Sequence, residues 1–150
     1  MLASRFPVIV DTLVSVLTAA NLPGVTVFDG PAPSAGDDLL MVIVGHDGTL
    51  GETLSGRVSG QYVGIGGQSR DEDIDVECCI IARSGDQQLQ AVRLAATALE
   101  AQVEAILRAS PTLSTAGVFW HEITTYEVYQ SNDRGAMCRL PFTVHARCRI

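Results

Sequence analysis

Three histidines, four cysteines and one run of alternating carboxylates are the side chains whose types and spacing could do chemistry in this chain. His46 stands beside Asp47, a pairing that can orient an imidazole as a general base. Catalysis there would need Ser55, Ser59 or Cys79 delivered as a nucleophile, and no Gly-x-Ser-x-Gly elbow supplies one. The surrounding glycines hold reacting groups too loosely for such work, so His46 reads as a polar loop residue. Cys78 and Cys79 are neighbours in an extended stretch and point to opposite faces, so they cannot share an ion. With Cys138 and Cys148 they show no Cys-x-x-Cys spacing, and His-x-x-x-His is absent too, so no metal or other cofactor is expected. Without a signal peptide, the four read as buried thiols of a reducing compartment. Gly64-Ile65-Gly66-Gly67 has the look of a phosphate cradle, but it leads into Arg70-Asp71-Glu72-Asp73 rather than a helix, and carboxylates repel phosphate.

Asp73, Asp75 and Glu77 project from one strand face about 7 Å apart. Paired carboxylates do acid-base work when a pocket or a cation separates their pKa values, and the local sequence supplies neither. Three readings stay open. The stripe is a solvated face; or it meets Arg139, Arg147 and Arg149 on a neighbouring strand or across a subunit boundary; or it lines a passage for something negatively charged that must slide. His145 alternates with those arginines and reads as a surface or interface residue rather than a base. Trp120 and Tyr126 are expected beneath a helix.

The elements that must position these groups are legible from periodicity. Ile74, Val76, Cys78, Ile80 and Ala82 alternate with the acids, which predicts a strand with one buried face. Leu89, Val92, Ala96, Leu99, Val103 and Ile106 carry the three-four spacing of a helix over 86–109, with Ser84 or Asp86 as its cap and Arg108 suited to its end. A second face of that helix, from Ala91 to Ala109, is small enough to admit another helix. Leu2, Phe6, Ile9, Leu13, Val16 and Ala20 predict an N-terminal helix capped by Ser4, with Pro7 in the first turn. Short strands are expected at Val25–Phe28, at Leu39–Val44 with both faces buried, and within Val118–Tyr129. Residues 45–70 hold eight glycines from Gly45 to Gly67, and read as a mobile loop or a loosely held hairpin. The last stretch, Cys138 to Ile150, alternates strictly between apolar residues and a face carrying three arginines. Pro141 cannot donate to a ladder, so this strand is expected at the sheet edge, at least over that half, where another chain can attach.

Net charge is −7, with no lysine among the ten basic residues. The first 82 residues hold eleven acids against three arginines, and the remainder six against seven, so no basic cluster exists to grip nucleic acid. A 47% hydrophobic content hints at buried subunit contacts, and no apolar run is long enough to span a bilayer. The expected architecture is α+β: a two-layer domain over 1–150, with a mixed, mostly antiparallel sheet of four to five strands, two helices on one face and the long Gly-rich loop 45–70.

The order of these elements resembles the tail terminator, or tail completion, proteins of long-tailed bacteriophages over nearly the whole chain. The stretch that carries the likeness runs from Ile80-Ile81-Ala82-Arg83-Ser84-Gly85-Asp86 through Ala105-Ile106-Leu107-Arg108 to Pro111-Thr112-Leu113. The lack of lysine and abundance of Ala, Val, Gly and Arg fit a phage of a GC-rich host. The resemblance implies a non-enzymatic virion subunit in the tail, assembled in the host cytoplasm into a homo-oligomeric ring, a hexamer. That ring ends polymerisation of the tail tube protein, offers a surface to head-tail connector proteins, and lets DNA pass without specific binding. The candidate subunit interface is then Arg139, His145, Arg147 and Arg149, the candidate acidic lumen or interface stripe is Asp73, Asp75 and Glu77, and the candidate assembly loop carries Arg57, Tyr62 and Arg70. Changing Arg147 and Arg149 to Glu is expected to impair association more than folding. A head-tail adaptor or stopper is the alternative of the same class, and a small α/β enzyme or ligand-binding domain that of another.

Overall fold

The structure is a computed structural model and describes residues 3–32, 39–49, 51–64, 69–85, 88–113 and 117–150. Helix α1 is Phe6–Ala19, which buries Ile9, Leu13 and Leu17 at four-residue intervals. Its N-cap position falls on Arg5, and Ser4 acts one residue earlier by accepting the Phe6 N–H at 3.1 Å. Strands β1 (Val25–Asp29), β2 (Leu40–Val44), β3 (Gly56–Tyr62) and β4 (Arg70–Ser84) follow. Helix α2 is Leu89–Arg108, and strands β5 (Val118–Tyr126), β6 (Tyr129–Ser131) and β7 (Ala136–Arg149) complete the order. Ser84 belongs to β4, Asp86 lies outside the described residues, and Gln88 stands at the α2 N-cap without a side-chain bond. Ala91, Ala98, Ala105 and Ala109 are exposed, so α1 does not cover the alanine face.

The sheet has seven strands in the order β1-β2-β4-β7-β5, with β3 beside the first half of β4 and β6 beside the start of β7. Only the β1–β2 pair is parallel. Both helices lie on one face. There Ile9 and Leu13 of α1, and Val92, Leu99 and Val103 of α2, join the inward side chains of β4 and β7 in the main core. A smaller apolar cluster of Met41, Ile43, Cys79 and Ile81 occupies one end of the opposite face, which is why β2 is buried on both sides.

Of the loop and hairpin readings of the glycine-rich segment 45–70, the hairpin is the one observed: part of it is the regular strand β3, paired residue for residue with β4 from Gly56↔Val76 to Tyr62↔Arg70. Ladder bonds use backbone alone, and at Gly56 a Cβ would collide with the Asp75 carbonyl oxygen and the Phe6 ring, so glycine is what admits the close approach. The final strand is central rather than at the edge: β7 pairs with β4 on one side and with β5 and β6 on the other. Pro141 is tolerated because its partner strand is broken there. The Pro141 carbonyl accepts the Glu127 N–H at 2.9 Å in the gap between β5 and β6, and its missing donor faces the same gap.

Candidate interaction face

The face turned away from the helices is built from the alternate residues of β3, β4, β7 and β5, and the register sets them in rows. One row is Arg57, Asp75, His145 and Glu122, and the next is Ser59, Asp73, Arg147 and Trp120. Of the three arginines expected against the acidic stripe, Arg147 meets it at Asp73 on the neighbouring strand of the same chain, Arg149 lies opposite Asp71 just outside it, and Arg139 lies opposite Ile81, beyond its other end. Arg149 grips Asp71 with two bonds, Nε at 2.6 Å and Nη2 at 3.1 Å. Arg147 reaches Asp71 at 3.9 Å and Asp73 at 3.7 Å. His145 places Nδ1 2.5 Å from Asp75 and Nε2 3.6 Å from Asp73, which ties the ring to the acidic stripe of the neighbouring strand. Glu77 accepts the Thr143 hydroxyl at 3.2 Å.

Hydrogen bonding from Arg149, with the charges of Arg149 and Arg147, holds the Asp71 carboxyl below its ordinary range and correspondingly raises Arg149. Burial pushes Glu77 up despite its Thr143 bond. Aromatic rings extend the charged rows outward. Trp120 lies 5.3 Å from the His145 ring, Phe119 sits 5.2 Å from the Arg149 guanidinium, and Tyr129 stacks 4.3 Å from that of Arg139. Trp120 and Tyr126 are thus exposed rather than packed beneath a helix. Arg139 also donates to the Asp47 carbonyl at 2.7 Å. Beside the β5–β6 gap an open concavity of about 350 Å³ is lined by Asp47, Glu77, Glu127, Tyr129, Arg139 and Thr143.

The remaining candidates fall elsewhere. His46 is 4% exposed and staples its own turn, accepting the Gly48 N–H on Nδ1 and bonding the Gly51 carbonyl through Nε2, both at 3.0 Å. All four thiols are buried, and burial pushes Cys78 and Cys79 up to about 12 and Cys148 to about 11. Arg57 and Tyr62 are exposed on strand β3, and Arg70 opens β4 rather than lying in a loop. Arg70 instead holds Glu72, a carboxylate that sequence reading passed over. Glu72 is fully buried on the helix side, accepts Arg5 N–H at 2.9 Å and Ser4 Oγ at 3.2 Å, and pairs with Arg70 Nη2 at 2.9 Å. Its even position among apolar neighbours was the available signal.

Comparison with known protein families and with curated proteins finds no match. Among solved structures the chain shares its fold with a chain from the virion of a native gene transfer agent particle, at a TM-score of 0.57 and 16% identity. The alignment spans 92% of this chain and 84% of that one. Identity this low speaks to the fold alone. Among the described residues no group of three or more His, Cys, Asp or Glu is placed to hold a metal ion, and no helix is long and apolar enough to cross a membrane.

Proposed function

We propose that this chain is a structural subunit of a phage-like virion that joins copies of itself in a ring, ends the tail tube, and offers a surface for head attachment. The observation that carries the reading is the fold likeness to a chain of a gene transfer agent virion over 92% of this chain. The resemblance of the layout from Ile80 to Leu113 to tail terminator proteins points the same way, and it is that resemblance which implies a ring of six. The charged face supports it as well. Arginine and aspartate neutralise one another along β4 and β7, so a passing polyanion meets mixed charge and is not gripped. Likeness to a chain of a virion fits more than one position within it, so the adaptor or stopper reading rests on the same observation.

Native mass and electron microscopy of the protein mixed with the tube protein of its own particle test the proposal. Shortened tubes with a ring at one end are the expected result. Unchanged tube length together with binding to connector proteins would assign the adaptor role. A chain that stays monomeric and leaves tubes untouched and unbound would overturn both.

A further inference from the structure

Eleven large apolar side chains are exposed among the described residues, and they are not scattered. Leu54, Val58, Tyr62 and Val63 lie on or beside β3. Phe119, Trp120, Tyr126, Val128 and Tyr129 lie on β5, β6 and the gap between them. Those two groups sit on the two opposite outer edges of the sheet, β3 beyond β4 and β5 beyond β7. A strand exposed on both faces from Arg57 to Tyr62 has its outer backbone groups available for contact.

We infer that the β3 edge of one copy docks against the β5–β6 edge of the next, a head-to-tail contact between copies of this chain. The inference deepens the ring reading and rests on it for its occupant. Charge selects this pairing over its alternatives. The only charged residue of β3 is Arg57, whereas the segment from β5 through β6 carries Glu122 and Glu127 and no lysine or arginine. Among the described residues neither Arg57 nor Glu122 has an ion-pair partner within 4.0 Å, although both end the same row of the charged face. A twofold contact of either edge with itself would bring like charges together, and the head-to-tail contact brings unlike ones.

The shape of the edge adds a constraint. Beside β3, strands β2 and β1 stand on the same side of β4, and β1 projects one strand farther out. A coplanar approach would drive that β1 into β6 of the neighbour. Copies therefore meet inclined, and an inclination repeated at every contact curves a row of subunits, which closes into a ring where the rotation divides a full turn and otherwise winds into a helix.

Two variants test the contact, Arg57→Glu and the double change Glu122→Arg with Glu127→Arg. Each alone should weaken self-association at least tenfold in sedimentation, with the urea midpoint little changed, while an equimolar mixture restores assembly as alternating rings. Trp120 is the sole tryptophan, so its emission should shift to the blue on assembly of the wild type and of the mixture, and not for either variant alone. Wild-type rings with both variants assembling normally, or a mixture of folded variants that fails to recover, would overturn the contact and leave the ring reading standing. A wild type that never associates, with or without tube protein, would overturn both.

Discussion

Glu72 illustrates how much one side chain can decide. It is a buried carboxylate whose oxygens serve the start of α1 through Arg5 N–H and Ser4, and the start of β4 through Arg70. Glu72→Ala leaves the Arg5 amide without its acceptor and the Arg70 guanidinium without its counter-charge, with the Ala3 carbonyl still accepting from Arg70. Because Arg70 is about one-third exposed, the expected loss is about 2–3 kcal/mol rather than the larger cost of a fully buried pair, read from urea unfolding. A loss under about 0.5 kcal/mol would show that water replaces the carboxylate. Glu77 makes the opposite case. Burial raises its folded-state pKa above the ordinary 4.5, so its charged form costs stability above the raised value, and the cost vanishes as pH falls to 4.5. Glu77→Gln, which keeps a partner for Thr143, should raise the urea midpoint at pH 7, and the advantage should shrink on acidification. An advantage independent of pH would rule out desolvation as its cause.

At the scale of elements, β4, α2 and α1 were legible because their apolar spacing is long and regular, and the alternation of β7 was equally plain. The place of β7 in the sheet was not. Strand order is set by partners far apart in sequence, and Pro141 points to an edge unless one knows that the opposing strand breaks at Glu127. Strand β3 was hard to read for a different reason, since glycine carries no side chain to display a period. Gly56→Val tests that account: the collision with the Asp75 carbonyl and the Phe6 ring should cost about 1–3 kcal/mol and speed amide exchange along 56–62 before the rest of the sheet. Exchange unchanged in β3 would mean the ladder can shift to make room. The charged face also changes an expectation. Arg147 and Arg149 lean on Asp71 and Asp73 of the adjacent strand, so reversing both to Glu should lower the unfolding midpoint itself, less so at 1 M salt, before any effect on association. A midpoint equal to that of the wild type would return those arginines to a purely intermolecular role.

For the whole molecule, the two-layer architecture followed from pattern alone, whereas the candidate contact surfaces emerged only when register put Arg57 and Glu122 at the ends of one row. The central position of β7 also bears on how the protein is made. Its contacts with β4 join residues as far as 78 apart, such as Asp71 and Arg149. While a nascent chain is still on the ribosome and residues 136–149 have yet to emerge, Ile74, Val76 and Ile80 lack the neighbour that shields one flank, and β5 has nothing to pair with. Maturation of the protein therefore waits on the strand translated after all the others described, and any pause in elongation just ahead of Ala136 lengthens the time its sticky interior stays open to the cell.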